Sequence, residues 1–207
     1  LVLLVAMSGL GPLSMQMIVP SLPALAIYFQ QDIAIAQMTV SPCLVGLAIS
    51  QLIVGPLSDK LGRRPVILAG LTLMTLSNLA GIMADTLPQL IAARFVQAFG
   101  AAAGLSVGRA MIRDLYDRDR AAGMIGIVVG SMMIAPMVSP FIGGVLETTY
   151  GWRAVFYLLG AVSTIVLIWA VMLLPETRRV QTETKPVGFL KDLRALAVSP
   201  AYHGFVL

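Results

Sequence analysis

Runs of about twenty apolar residues, separated by short charged segments, constrain this 207-residue chain more than any other feature. In hydrocarbon every backbone N–H and C=O must be satisfied within the structure, so such runs fold as membrane-crossing helices. Six are predicted: Leu1–Ile27, Thr39–Leu57, Val66–Ala84, Leu87–Gly108, Ala122–Leu146 and Ala154–Leu174. Composition agrees: 58% of residues are hydrophobic and 12% charged, where a soluble domain carries about 25% charged residues. The expected fold class is an all-α membrane protein. Leu1 falls within an apolar run and another run opens near Ala201, so the chain reads as a fragment of a longer protein. Its expected parts are a six-helix bundle over 1–175, a polar linker over 176–200 and the start of a seventh span over 201–207. No basic leader precedes the first run and no small-residue cleavage pattern follows it, which favours a span over a signal peptide.

Twelve of the 14 basic residues fall between the second and third spans, at the end of the fourth or just after it, or after the sixth. The positive-inside rule then places the amino terminus in the cytoplasm. That distribution accounts for the net charge of +4, and nucleic acid is not an expected partner. Cys43 lies in an apolar run and reads as a small buried hydrophobe. There is no Gly-rich phosphate loop ending in Lys-Ser/Thr, no metal-ligand cluster, and no nucleophile with a spaced His and acid. Neither an enzyme nor a bound metal or cofactor is expected.

Between the second and third spans stands Gly55-Pro-Leu-Ser-Asp59-Lys60-Leu-Gly62-Arg63-Arg64. Glycines permit a reverse turn with close backbone approach, and an acid among bases makes ion pairs that can break when helices move. The segment from Gly55 to Val66 aligns without gaps on Gly144 to Val155, matching Gly, Leu, Gly, Arg and Val. One copy closes the second span and the other the fifth. An odd number of spans separates them, so the pattern is a three-plus-three inverted repeat. Chance matching in a Gly- and Leu-rich sequence is the alternative.

The Gly55–Arg64 segment resembles the loop 2-3 signature of the major facilitator superfamily. That resemblance implies the amino-terminal bundle of a twelve-helix secondary transporter, with Asp59 and Arg63 helping to latch two halves. Arg94-Phe-Val-Gln97-Ala-Phe-Gly100 in the fourth span resembles the family's R-x-x-Q-x-x-G motif, whose arginine is implicated in proton coupling. A guanidinium inside an apolar run costs on the order of 2.5–3.5 kcal/mol, so Arg94 faces a cavity or partner, or snorkels to the headgroups. Gly100 and Gly104 mark a face of close helix approach. Gly126 to Gly144 resembles the antiporter motif of the fifth helix, with Gly126, Pro140, Gly143 and Gly144 in place; Ala135 and Ser139 replace two glycines. Pro136 and Pro140 favour a bend there. Close packing without any bearing on transport direction is the other reading of this stretch.

Further segments are similar to the Bcr/CflA drug-resistance branch: Pro20-Ser-Leu-Pro23, Arg109-x3-Arg113-Asp114, Gly151-Trp-Arg-Ala-Val-Phe156 and Pro175-Glu-Thr177. Arg109, Arg113 and Asp114 are candidates for ion pairs at the cytoplasmic face, or ordinary solvated loop charges. Where that branch has an aspartate, this chain has Gln16, which cannot carry a proton. Met15, Gln16 and Gln97 are candidate substrate-cavity residues, with helix packing as the alternative for Gln16. The implied function is efflux of lipophilic drugs by exchange for protons across a bacterial inner membrane. The implied partners are a small lipophilic substrate, protons, the lipid bilayer and a missing carboxy-terminal half. A facilitator or uptake carrier for a polar metabolite is the first alternative, and a non-transporting receptor or scaffold on the same fold is the second.

Overall fold

The computed structural model describes residues 1–177, so most of the expected linker and the opening of a seventh span lie outside the described residues. The helices are α1 (Val2–Met17), α2 (Leu22–Tyr28), α3 (Ile33–Ala36), α4 (Ser41–Leu61), α5 (Arg63–Ile82), α6 (Leu87–Leu115), α7 (Arg118–Tyr150) and α8 (Arg153–Leu173). Among the described residues six membrane-length spans result, the first formed by α1 with α2 and the second by α3 with α4. The predicted spans all appear, and several continue past their apolar cores into charged ends. The second reaches Leu61, the fourth Leu115 and the fifth Tyr150. The first is interrupted: Pro20 and Pro23 lack backbone donors, and a short 3-10 turn over Val19–Ser21 joins α1 to α2. α7, by contrast, runs through both Pro136 and Pro140 as one continuous helix.

Local chemistry sets the helix ends. Gly62 and Gly151 close α4 and α7 with φ of +104° and +81° and ψ of 158° and 169°, a region that is essentially glycine-only. Each donates its N–H four residues back, to Ser58 O and Glu147 O. These glycines are equivalent positions of the repeat. At the start of α6, Gln89 Oε1 accepts from the backbone N–H groups of Asp85 (3.0 Å) and Thr86 (3.3 Å), satisfying donors that a helix start leaves open.

α6 runs through the middle of the bundle, packed by α4, α5 and α1; α7 lies on α1, and α8 on α5. α4 on α6 and α7 on α1 are symmetry mates in a three-plus-three arrangement. The α5–α8 pair exchanges equivalent contacts at its two ends. Arg64, in the first turn of α5, donates to Val171 O near the end of α8 (2.9 Å). Arg153, the first residue of α8, donates to Ile82 O at the end of α5 (3.0 Å) and to Ala84 O (3.1 Å).

Two apolar clusters fill the interior. One includes Leu4, Met7, Ile67, Met74, Val107, Met111 and Val166; the other includes Met17, Leu25, Leu90, Trp152, Phe156 and Leu159. Between them, α1, α5, α6 and α8 each carry polar residues, among small ones: Ser14, Asn78, Arg94 with Gln97, and Ser163. All five are buried. The bundle therefore holds a polar layer between two apolar ones.

Candidate functional site

Arg94 anchors that layer. Its side chain is 1% exposed, and it is the only charged side chain fully buried among the described residues. The guanidinium turns inward: Nη1 donates to Ser14 O (3.0 Å) and to Gln97 Oε1, while Nε makes a long contact to Thr39 O (3.4 Å). Nη2 has no partner. Arg94 lines a cavity of about 10 Å³ together with Gly11, Ser14, Met15, Cys43, Leu47 and Gln97, among others, close to the minimum for one water molecule. Cys43 is buried there, its thiol donating to Thr39 O (3.3 Å) and Arg94 O (3.4 Å).

Asn78, which sequence reasoning missed, fixes which end of Gln97 meets Arg94. Asn78 Nδ2 donates to Met74 O (3.0 Å), an atom that can only accept, so Asn78 Oδ1 must face the other way. Gln97 Nε2 donates to that oxygen at 2.6 Å, leaving Gln97 Oε1 for the guanidinium. Ser163 Oγ lies 3.5 Å from Asn78 Nδ2 and accepts from Thr75 Oγ1 at 3.1 Å, extending the chain onto α8. The usable sequence signal was an amide in the middle of an apolar run, as costly to leave unpaired in lipid as any other buried polar group.

The structure thus brings Arg94, Gln97 and Met15 together. Gln16 stands apart, its side chain exposed. Gly100 and Gly104 make the close approaches expected of them: a Cβ on Gly100 would overlap the backbone of Gly70 and Met74, and one on Gly104 would lie 2.5 Å from Met7 O. The fifth-span motif divides. Gly143 presses on Met17 O, Gly144 would have only Pro20 within reach of a Cβ, and Gly126 opens onto free space. Pro136 and Pro140 are half-buried.

A second polar cluster occupies the end of the bundle that carries Gly62. Arg63 is its hub, with Nη1 at 2.6 Å from Asp59 Oδ1 and Nε at 3.1 Å from Asp114 Oδ2, and a further hydrogen bond from Nη1 to Ser58 Oγ (2.6 Å). Asp114 pairs with Arg63 and not with the neighbouring Arg113, because adjacent side chains on a helix diverge while Arg63 comes across from α5. Among the described residues Arg113 and Arg109 make no ion pair; Arg109 Nε donates to Leu105 O (2.9 Å). Glu176, the first residue of the expected linker, returns to α5 and accepts from the N–H groups of Arg63 (2.9 Å) and Arg64 (3.2 Å). A carboxylate there meets both open donors and the positive end of the helix dipole. A Cβ on Gly62 would come within 2.6 Å of Glu176 Oε2, so that glycine serves the turn and the close approach together.

At the opposite end, Arg153 stacks over Trp152 (4.4 Å) and Tyr28 (4.9 Å) and reaches Asp85 at 3.9 Å. It ties α2, α5 and α8 together.

Residues 4–207 match the family described as Major Facilitator Superfamily. The chain belongs to the major facilitator superfamily. Within it, the chain is 36% identical over 170 residues to the uncharacterized MFS-type transporter YdgK of Bacillus subtilis, covering 81% of this chain and 42% of that protein. It is 31% identical over 180 residues to multidrug resistance protein D of Escherichia coli, covering 87% and 46%. With the chloramphenicol resistance protein of Pseudomonas aeruginosa it shares 33% identity over 170 residues, covering 82% and 41%. The chain thus spans less than half the length of these major facilitator relatives. The crystal structure of the human organic anion transporter MFSD10 superposes with a TM-score of 0.68 at 18% identity, over 87% of this chain and 49% of that one. The likeness is one of fold: six helices matching half of a major facilitator protein.

Proposed function

We propose that the chain is the amino-terminal bundle of a multidrug exporter that exchanges substrate for protons by rocking against a second bundle. The observation that carries this reading is Arg94, a buried guanidinium held by neutral acceptors in a mid-depth polar layer. Charge placed there at such cost marks a functional site in a membrane protein. The names of the multidrug and chloramphenicol resistance relatives support export of lipophilic drugs.

In this reading Arg63, Asp59 and Asp114 form a cytoplasmic latch that is intact in the present arrangement and opens as the bundles rock. Residues 1–175 are the bundle, 176–200 the cytoplasmic linker and 201–207 the entry to a seventh span; the amino terminus is cytoplasmic. Met15, Gln16 and Gln97 border the substrate path. Proton coupling runs through groups other than Gln16.

The test is proton movement in energised inverted vesicles containing the full-length protein. Adding an amphenicol should release lumenal protons in the wild type and not in an Arg94→Ala variant. Counterflow of labelled drug without any proton signal would instead favour an uncoupled carrier, the reading that Gln16 supports.

A further inference from the structure

The polar layer is electrically one-sided. Among the described residues, every acid lies at a helix end or in a connection: Asp32, Asp59, Asp85, Asp114, Asp117, Asp119, Glu147 and Glu176. None lines the cavity at Arg94. The layer therefore contains a full positive charge compensated only by dipoles, and one donor, Nη2, with no acceptor among the described residues. A buried charge without a counter-ion and a buried donor without an acceptor are both costly, and both costs fall when an acceptor with negative or partial negative charge arrives. A cation would add like charge at short range in a poorly screening medium.

We infer that this half of the transporter selects amphiphiles bearing a hydrogen-bond acceptor, neutral or anionic, and discriminates against lipophilic cations, with Arg94 Nη2 as the recognising donor. The inference rests on the efflux reading and adds the substrate class. The cavity of about 10 Å³ admits a water but no organic group, so the acceptor must displace a wall. Met15 is that wall. It lines the cavity, is half-exposed and adjoins exposed Gln16; an unbranched thioether is the side chain best suited to yield. Gln16, next in sequence but outside the cavity lining, is an amide and supplies no negative charge to attract a cation.

The experiment is equilibrium binding to the full-length protein in proteoliposomes, where the second bundle is present. Three probes serve: chloramphenicol as a neutral acceptor, anilinonaphthalene sulfonate as an anion and tetraphenylphosphonium as a cation. The first two should bind at least about tenfold more tightly than the third. Gln16→Asp, which puts a carboxylate on the proposed substrate path, should shift the preference toward tetraphenylphosphonium by about tenfold relative to chloramphenicol. Equal binding of all three probes by the wild type would overturn the selectivity and leave the exporter reading standing. So would a Gln16→Asp variant with unaltered preference. Failure of every probe to bind would overturn both.

Discussion

α6 and α7 are the two longest helices among the described residues, at 29 and 33 residues, and both are apolar and rich in glycine. Their fates differ. In their most apolar stretches 67% of α6 is buried, against 17% of α7. The glycines follow suit. Gly100 and Gly104 sit where neighbouring backbones leave no room for a methyl group, whereas a methyl group on Gly123, Gly126 or Gly130 would have nothing within contact distance among the described residues. α7 instead presents Met133, Met137 and Phe141 outward, each more than two-thirds exposed. The same residue type thus does opposite jobs: on α6 it creates the bundle's axis, while on most of α7 it keeps a surface low. In a membrane, apolarity alone does not distinguish inside from outside, since lipid and core are equally oily. What distinguishes them here is the polar layer: α6 brings Arg94 and Gln97 to it, whereas the polar residue that α7 buries, Ser139, bonds to its own helix backbone.

Substitutions can break or sharpen this contrast. The largest effect is expected from Gly100→Val, because the side chain would meet backbone atoms of Gly70 and Met74 that cannot step aside; overpacking of this kind should cost about 3 kcal/mol or more. Thermal unfolding of the detergent-solubilised protein should show a large drop in Tm; an unchanged Tm would remove α6 from its place at the axis. Next, Asn78→Leu leaves Gln97 Nε2 buried without an acceptor and frees the amide to turn, for a loss of about 1–3 kcal/mol. Asn78→Ala should restore little, since the orphaned donor remains, and denaturant titration would resolve the pair.

Gly62→Ala and Gly151→Ala both force alanine into a glycine-only conformation, at about 1–3 kcal/mol. Only Gly62 also faces a carboxylate, so its variant should lose more stability than Gly151→Ala, and the difference should shrink in a Glu176→Gln background. Equal losses in all backgrounds would refute the Glu176 cap. Smallest of all is Gly130→Ala, which enters open space and should change stability by no more than about 0.5 kcal/mol. A large loss there would show that the open face of α7 is tightly covered in the full-length protein.

The spans were legible because lipid leaves a backbone so few options, and the repeat because Gly62 and Gly151 do the same steric work. Arg94 announced itself as a charge in an apolar run, and its motif brought Gln97 along. Other features depend on tertiary partners and leave a weaker trace. Asn78 gains meaning only when Gln97 arrives from α6. Asp114 adjoins Arg113 in the sequence, but one residue along a helix turns a side chain through about 100°, and the fold supplies Arg63 instead. Glu176 read as the first residue of a polar stretch; nothing local signals that it would cap a helix begun more than a hundred residues earlier. The break in the first span was implicit in Pro20 and Pro23, yet the run around them is apolar enough to conceal it.

The exchange between Arg64 and the end of α8, answered by Arg153 and the end of α5, bears on how such a bundle could arise. Each contact asks for the same thing: an arginine in the first turn of one helix and an open carbonyl in the last turn of its antiparallel mate. Two copies of one three-helix ancestor, inserted in opposite senses, would satisfy both contacts with a single arginine codon. Joining the genes would then tie the pair without inventing a new interface. Once joined, each copy could drift on its own, one acquiring the acid at Asp59 among its bases and the other the aromatic stack at Trp152.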